Sequence, residues 1–247
     1  MQTKTEVLQA CRIEGNIVRL PDTQLDRKLY QEVAKSLNLI GGTWKGHKVM
    51  GFVFKEDPTE LLEEIAGGGT RNLKKEYQFF ATSEKLAARL VQLAGIDNND
   101  LMVMEPSAGQ GAIIKAILKK QPGLCVHYFE IMDINRKFLE KIPDAISLGK
   151  DFLTERKHFH DFDKIVANPP FSKNQDIDHI YQMYRSLKHG GRLVSMASKH
   201  WQISSNKKEH EFRIWLQNVK AQVLEVPAGE FKESGTEIAT CIIIINR

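Results

Sequence analysis

The sequence predicts an α/β protein: a mostly parallel sheet covered by helices on both faces, preceded by a small α/β module. Three observations predict it. From Thr82 onward helical and strand-like patterns alternate regularly, as they do where parallel strands are joined by crossover helices. The run from Ile242 to Ile245 has no polar face to give to water, so it belongs inside a sheet rather than at an edge. Ahead of these, Ala66-Gly67-Gly68-Gly69-Thr70 breaks the pattern as a linker and divides a module at residues 1–69 from a domain at residues 70–247.

The N-terminal module opens with a candidate strand at residues 16–20, closed by Pro21. Leu25, Leu29, Val33 and Leu37 then recur at four-residue steps, along one face of a helix that Gly41-Gly42 would stop. Residues 44–54, with Gly46 and His47 near their start and alternating Val49, Gly51 and Val53, read as a hairpin. Asp57-Pro58 opens a short helix at residues 59–65. After the linker, the basic residues Arg71, Lys74 and Lys75 lead into Tyr77-Gln78-Phe79-Phe80.

The second part is expected to begin with a helix at 83–94, its apolar face carrying Leu86, Leu90 and Leu93 and its cap being Thr82 or Ser83. A strand at 101–104 ends in Glu105-Pro106 and is followed by a helix at 112–120. A strand at 124–129 ends in Glu130 and is followed by a helix at 135–141. Strands at 145–148 and 164–167, a helix at 177–187, a strand at 192–197 and a helix at 209–218 come next. Strands at 222–226 and 238–245, joined by a loop rich in Gly and charged residues, close the chain.

At 247 residues there is length for one large domain or a medium one with an appendage. Hydrophobic residues make up 42% and charged residues 27%, ordinary globular values, so composition alone selects no function. A formal charge of +4 permits nucleic-acid binding without pointing to it. Cys11, Cys125 and Cys241 are odd in number, far apart and outside any C-x-x-C pair, which argues against a disulfide framework or a zinc site and for a reducing, cytosolic compartment. No apolar stretch reaches the length of a membrane span, so a membrane is not an expected partner. His158, His160 and Asp161 have metal-like spacing but lie in a charged loop and read as surface residues, so no metal is expected.

The chemistry concentrates where strands end. Glu105-Pro106-Ser107-Ala108-Gly109-Gln110-Gly111 joins the first strand of the second part to a helix; the two glycines allow a tight turn and close approach to a ligand, and the helix offers free N–H groups. Ile114 stands where a dinucleotide fingerprint has its third glycine, which counts against pyrophosphate. Glu130 ends the next strand, roughly 20 residues on, where an acid can accept from both hydroxyls of a ribose. Asp151-Phe152 follows the third strand, with an acid for an exocyclic amine and a ring to lie against a base. Asn168-Pro169-Pro170-Phe171 follows the apolar run ending in Ala167 and places two adjacent acceptors, an Asn oxygen and a Pro carbonyl, before an aromatic ring. All of these sit at carboxyl ends of expected parallel strands, the edge where open α/β sheets bind ligands, so they should face one crevice. Lys199-His200-Trp201 borders the same edge, where it could meet a nucleotide or simply pack the loop, and His179, on the expected helix, reads as a satisfied helix residue.

In this order, residues 77–81, residues 105–111, Glu130, Asp151-Phe152 and Asn168-Pro169-Pro170-Phe171 resemble the motif series of class I S-adenosylmethionine-dependent methyltransferases. More narrowly, the series is similar to that of DNA adenine N6 methyltransferases, including modification subunits of restriction systems, and the resemblance covers residues 77–247. It implies a Rossmann-like sheet with an antiparallel C-terminal strand, and S-adenosylmethionine as cofactor. Phe80, Thr82, Glu105, Pro106, Ala108, Gly109 and Gly111 would then surround the methionine end, Glu130 the ribose, and Asp151 with Phe152 the adenine, with Asn168 completing the cofactor side. Asn168, Pro169, Pro170 and Phe171 would form the catalytic motif, with the target base flipped out of the helix and stacked on Phe171. The implied partner is DNA. RNA is the nearest alternative, and a specificity chain becomes a candidate partner because no large target-recognition domain follows within this sequence. Where the family often has Thr-Pro, this chain has Thr82-Ser83.

Overall fold

The computed structural model describes residues 2–54, 57–68, 82–154, 160–226 and 240–247. The chain forms two compact units, residues 1–79 and 80–247.

The first unit contains helices α1 (Lys4–Gln9), α2 (Arg27–Leu39) and α3 (Thr59–Ala66) and strands β1 (Arg12–Glu14), β2 (Ile17–Arg19), β3 (Thr43–Lys45) and β4 (Gly51–Val53). The strands form an antiparallel sheet in the order β1-β2-β4-β3. Asp26 starts α2 by accepting from the backbone N–H groups of Lys28 and Leu29 at 2.9 and 3.0 Å, so Leu25 falls outside the helix while Val33 and Leu37 are buried. The sequence reading had neither α1 nor β1. Six and three residues are too short for periodicity to show; the signal that existed was the capping box Thr3-x-x-Glu6, in which each side chain satisfies the other residue's N–H.

The second unit runs α4 (Glu84–Ala94), β5 (Val103–Glu105), α5 (Ala112–Lys120), β6 (Val126–Phe129), α6 (Asp133–Leu139), β7 (Ala145–Gly149), β8 (Phe162–Ala167), a 3-10 turn (Ser172–Asn174), α7 (Gln175–Ser186), β9 (Leu187–Ser198), α8 (His200–Ile203), α9 (Lys207–Asn218), β10 (Gln222–Glu225) and β11 (Thr240–Asn246). Its sheet has the order β10-β11-β9-β8-β5-β6-β7. Pairing is parallel from β9 through β7, and β11 runs antiparallel to both β9 and β10. The Ile242 to Ile245 run thus lies between two strands, as its lack of a polar face requires.

Period-two alternation sorts the strands into two apolar layers. Val103, Val166, Val194, Ile242 and Ile244 face one way, against α4 and α5. Met104, Ile165, Leu193, Ile243 and Ile245 face the other, against α7 and α9. Each of the inner strands β5, β8, β9 and β11 therefore serves two cores, while the edge strands β7 and β10 keep exposed positions.

Several boundaries shift by a residue or two, and two of the shifts have a clear physical cause. β9 reaches back to Leu187 through Gly190-Gly191, ahead of the expected start at residue 192; Gly190 has φ +82° and the register with β8 shifts between Phe162 and Lys164, so the glycines make an irregularity inside one strand. β5 begins at Val103 instead of residue 101, and Leu101 is exposed. There the ladder is replaced by Asp163, whose Oδ2 accepts from the N–H groups of Leu101 and Met102 at 3.0 and 2.9 Å while Oδ1 pairs with Lys188 at 2.9 Å. Burial alone would raise the Asp163 pKa, but Lys188 and the two N–H groups outweigh it and hold it below 3.8. A depressed acid contributes stability above its unfolded pKa and loses it as pH falls through the folded one. Asp163→Asn should therefore destabilise the protein by about 1–3 kcal/mol at pH 7, with the gap to the parent closing below pH 3.8 in urea titrations at several pH values.

Candidate functional site

β5, β6, β7, β8 and β9 all end on one edge of the sheet, at Glu105, Phe129, Gly149, Ala167 and Ser198. Successive strands step away from β5 toward β7 on one side and toward β9 on the other, so the reversal of strand order lies between β5 and β8. A crevice forms at such a point. Register places Met104 beside Ile165, and the glycine joint after β5 and Asn168 after β8 thus emerge from adjacent strands at the same edge.

The glycine joint is pinned at both ends. Glu105 is 2% exposed and its Oε2 accepts from Ile114 N at 3.1 Å, capping the first turn of α5 from the strand that precedes it. Gly111, the N-cap of α5, has φ +79°, a conformation that favours glycine, and a Cβ there would also push on the side-chain ends of Ile142 at 2.5 Å and Leu139 at 2.9 Å. Ala108 N donates to Phe129 O at 3.0 Å and Gly109 N to Glu130 Oε2 at 2.6 Å, which lays the joint across the end of β6. The other Glu130 oxygen accepts from Met132 N at 2.8 Å and from Asn135 Nδ2 at 3.3 Å. Of the roughly four lone-pair directions of a carboxylate, three are used and one is left for a ligand.

Both acids are buried, and burial raises the pKa of each. For Glu130 the N–H groups of Met132 and Gly109 pull back; for Glu105 the Ile114 N–H pulls back while the neighbouring Glu130 charge pushes further up, leaving it well above 4.5. Ser107, which the sequence reading passed over, has a buried hydroxyl with no hydrogen-bond partner. A buried hydroxyl without a partner is costly, and inside a ligand-type joint it is the signal that could have singled Ser107 out. Two acids that gain from a cation or hydroxyls, beside an unpartnered hydroxyl, are a donor set that fits an amino-acid-bearing nucleoside such as S-adenosylmethionine.

On the other side of the crevice Asn168 is half-buried and its Nδ2 donates to Thr82 Oγ1 at 3.2 Å. With the nitrogen engaged, the amide offers Oδ1 as an acceptor. Pro169 is buried and Pro170 half-buried. Asp151 Oδ1 accepts from Leu153 N at 2.9 Å, closing the turn after β7.

The two aromatic residues differ from expectation. Phe152 is 2% exposed and wedged between Phe129 and His179, with ring centroids 5.4 and 5.9 Å away, so as it stands it supports the pocket from behind and offers no face to an adenine. Phe171 is 9% exposed and belongs to the apolar layer with Leu90 and Ile113; it is a wall, and stacking a base on its face needs it to turn out of that layer. His179 donates through Nδ1 to Gln175 O at 2.9 Å, and burial depresses its pKa, so it is a neutral ring behind Phe152. Trp201 is buried and Lys199 pairs with Glu225. Asp176, 0% exposed and one residue ahead of the helix expected from sequence, accepts from Ser198 N and Oγ, both at 2.9 Å, and ties the first turn of α7 to the end of β9. Phe80, with the rest of residues 77–81, and His158 lie outside the described residues.

No protein-family model and no curated protein matches this sequence. Among solved structures, the methyltransferase subunit of a type I restriction-modification system from Streptococcus thermophilus superposes with a TM-score of 0.58 at 19% identity, over 68% of this chain and 45% of that one. A Listeria monocytogenes protein described as a class I S-adenosylmethionine-dependent methyltransferase does so with a TM-score of 0.53 at 12% identity, over 76% of this chain and 66% of that one. The chain thus has the fold of the class I methyltransferases, and it spans less than half the length of the Streptococcus subunit. Among the described residues, no helix is long and apolar enough to cross a membrane.

Because the folded pKa of Glu105 lies above its unfolded value, its ionisation costs stability at high pH, and that cost disappears as pH falls toward 4.5. Glu105→Gln keeps an acceptor for Ile114 N and removes the buried charge. Its melting temperature should exceed the parent's at pH 8, by roughly 2–4 °C per kcal/mol relieved, and approach it near pH 5 in paired thermal scans. A lower melting temperature at pH 8 would show that the carboxylate is a net stabiliser.

Proposed function

We propose that residues 70–247 form a catalytic domain that transfers a methyl group from S-adenosylmethionine to the exocyclic N6 amine of an adenine flipped out of DNA. The reading rests most directly on the Asn168 amide, whose nitrogen is held by Thr82 at the switch point of the sheet, leaving an oxygen beside the Pro169 carbonyl. The fold is shared by enzymes with many acceptors, so it supports the reaction type, and the Asn-Pro-Pro-Phe motif supports the substrate class.

The proposed roles follow from chemistry. Glu130 uses its remaining lone-pair direction for the cofactor ribose, Glu105 and the Ser107 hydroxyl serve the amino-acid end together with Phe80 and Thr82, and Asp151 accepts from the cofactor adenine. When bound, the cofactor supplies an electrophilic methyl on a sulfonium. The adenine amine is a poor nucleophile because its lone pair is delocalised into the ring. Acceptance of its two N–H groups by Asn168 Oδ1 and Pro169 O localises that lone pair and holds it in line, so positioning and polarisation carry the rate and a strong base is needed only after transfer. Phe171 walls the base pocket. The Streptococcus structure is one subunit of a larger system by its own description, which makes a specificity chain a reasonable partner here. Three scattered free cysteines, one of them with its thiol pushed up to about 12 by burial, agree with a reducing, cytosolic setting.

The test is a nucleoside digest of DNA and of RNA incubated with the protein and labelled cofactor. N6-methyladenine from DNA is expected. Asn168→Ala should lower the rate about 100-fold or more while calorimetric cofactor affinity changes less than about threefold. Label confined to RNA would transfer the reading to RNA amines; cofactor binding without label in either would make this a subunit that awaits its partner.

A further inference from the structure

At 87%, Ile203 is the most exposed large hydrophobic among the described residues, and it stands on the catalytic edge. β8 and β9 are in register at Ala167 and Ser195; β9 runs on to Ser198 and turns at once into α8, which ends at Ile203. The turn that carries this side chain is rigidly held. Trp201, 6% exposed, packs edge-on to Phe212 at 5.4 Å, and Ser204 on the other side is 9% exposed. Arg213 Nη1 donates to the carbonyls of Trp201 and, at 2.8 Å, of Ser204; Ser204 N donates to His200 O at 3.1 Å; Gln202 Nε2 donates to Glu225 at 3.0 Å. A flexible loop would fold an isoleucine back onto the protein, but this one holds it outward.

Its surroundings are polar and charged. Residues 199–208 contain Lys199, His200, Lys207 and Lys208, together with Gln202, Ser204, Ser205 and Asn206, and no acid. Each of the four basic groups has an acid beside it: Lys199 pairs with Glu225, His200 lies 3.5 Å from Glu209, Lys208 pairs with Asp178 at 2.7 Å, and Lys207 reaches Glu211 of its own helix at 3.8 Å; with the Lys207 side chain 88% exposed, that last pair is weak enough to exchange for a phosphate. A single branched aliphatic side chain rimmed by amides, hydroxyls and lysines is unlike a protein-docking patch, which needs contiguous apolar area. It has the character of an apolar wedge of the kind that enters a base stack.

We propose that Ile203 is such a wedge: it enters a DNA duplex at the target step and fills the gap left by the everted adenine, while Lys207 and His200 lie along the phosphates. This rests on the adenine reading above. An everted base leaves an unstacked hole, and a side chain that fills it lowers the cost of opening a paired duplex; on an already single strand there is no hole to fill. Loss of the wedge must therefore depend on the pairing state of the substrate.

The probe is long duplex DNA of mixed sequence and the same DNA heat-denatured, each with labelled cofactor, for the parent, Ile203→Ala and Ile203→Met. Ile203→Ala is expected to lose about tenfold or more of its kcat/KM on the duplex and to stay within about twofold on denatured strands, with Ile203→Met recovering most of the duplex rate. Thermal scans and cofactor affinity keep a folding defect apart from this pattern. Equal loss on both substrates, or none on the duplex, overturns the wedge. A fall in sedimentation coefficient for Ile203→Ala would assign the side chain to contact with a second copy, which also overturns it. If the parent labels neither form of DNA, the adenine reading itself fails and the wedge with it.

Discussion

The Glu130 carboxylate is the constraint on which the rest of the site depends. Three donors from two different loops converge on it: Gly109 N from the joint after β5, and Met132 N and Asn135 Nδ2 from the segment that starts α6. A carboxylate buried to 6% exposure is costly, and hydrogen bonds of this kind are what make the burial tolerable. In return it fixes where the glycine joint lies relative to β6, and the joint fixes Glu105 and the first turn of α5. A ligand entering this crevice meets groups already held in place, with one lone-pair direction of the clamp still open.

The fold was legible because burial on both faces writes itself into the chain as short apolar runs separated by helical periods. Strands such as residues 164–167 and 145–148, and the helix at 112–120, stand in the structure within a residue or two of the sequence reading. What failed was short or paradoxical. β1 has three residues and one alternation, too little for a pattern. The first residues of β9 show no apolar run because Gly190-Gly191 interrupts it, yet Gly191 has no room for a Cβ, with Lys188 O at 2.9 Å and Asp163 O at 3.1 Å, and so marks close packing within one strand.

The site divides along a similar line. Polar residues at strand ends were legible, since topology carries Glu105, Glu130, Asp151 and Asn168 to one edge whatever their rotamers. Aromatic roles were not. Whether a ring after a turn faces a ligand or a core depends on neighbours distant in sequence: Phe152 is held by Phe129 and His179, and Phe171 by the layer that includes Leu90. Ser107 and Asp176 were illegible for the opposite reason, because a hydroxyl or a carboxylate becomes informative only when burial and its partners are known.

The backbone after the motif carries strain of its own. Lys173 and Asn174 both adopt left-handed conformations, φ +53° and +57°; Asn tolerates this region, whereas for Lys173 it costs about 1–2 kcal/mol. They persist because the segment is over-determined. Asn174 Nδ2 donates to Glu209 at 2.9 Å, Lys208 Nζ donates to Asn174 O at 3.1 Å and pairs with Asp178 at 2.7 Å, and Asp176 closes onto Ser198. α9 thus grips the three-residue turn between Phe171 and α7, and β9 holds the first turn of α7 directly behind it. In the proposed transfer, which relies on two fixed acceptors, that is where rigidity has value. A carbonyl and an amide oxygen polarise an amine only as well as their spacing is kept, and the chain spends conformational strain directly behind the motif to keep it.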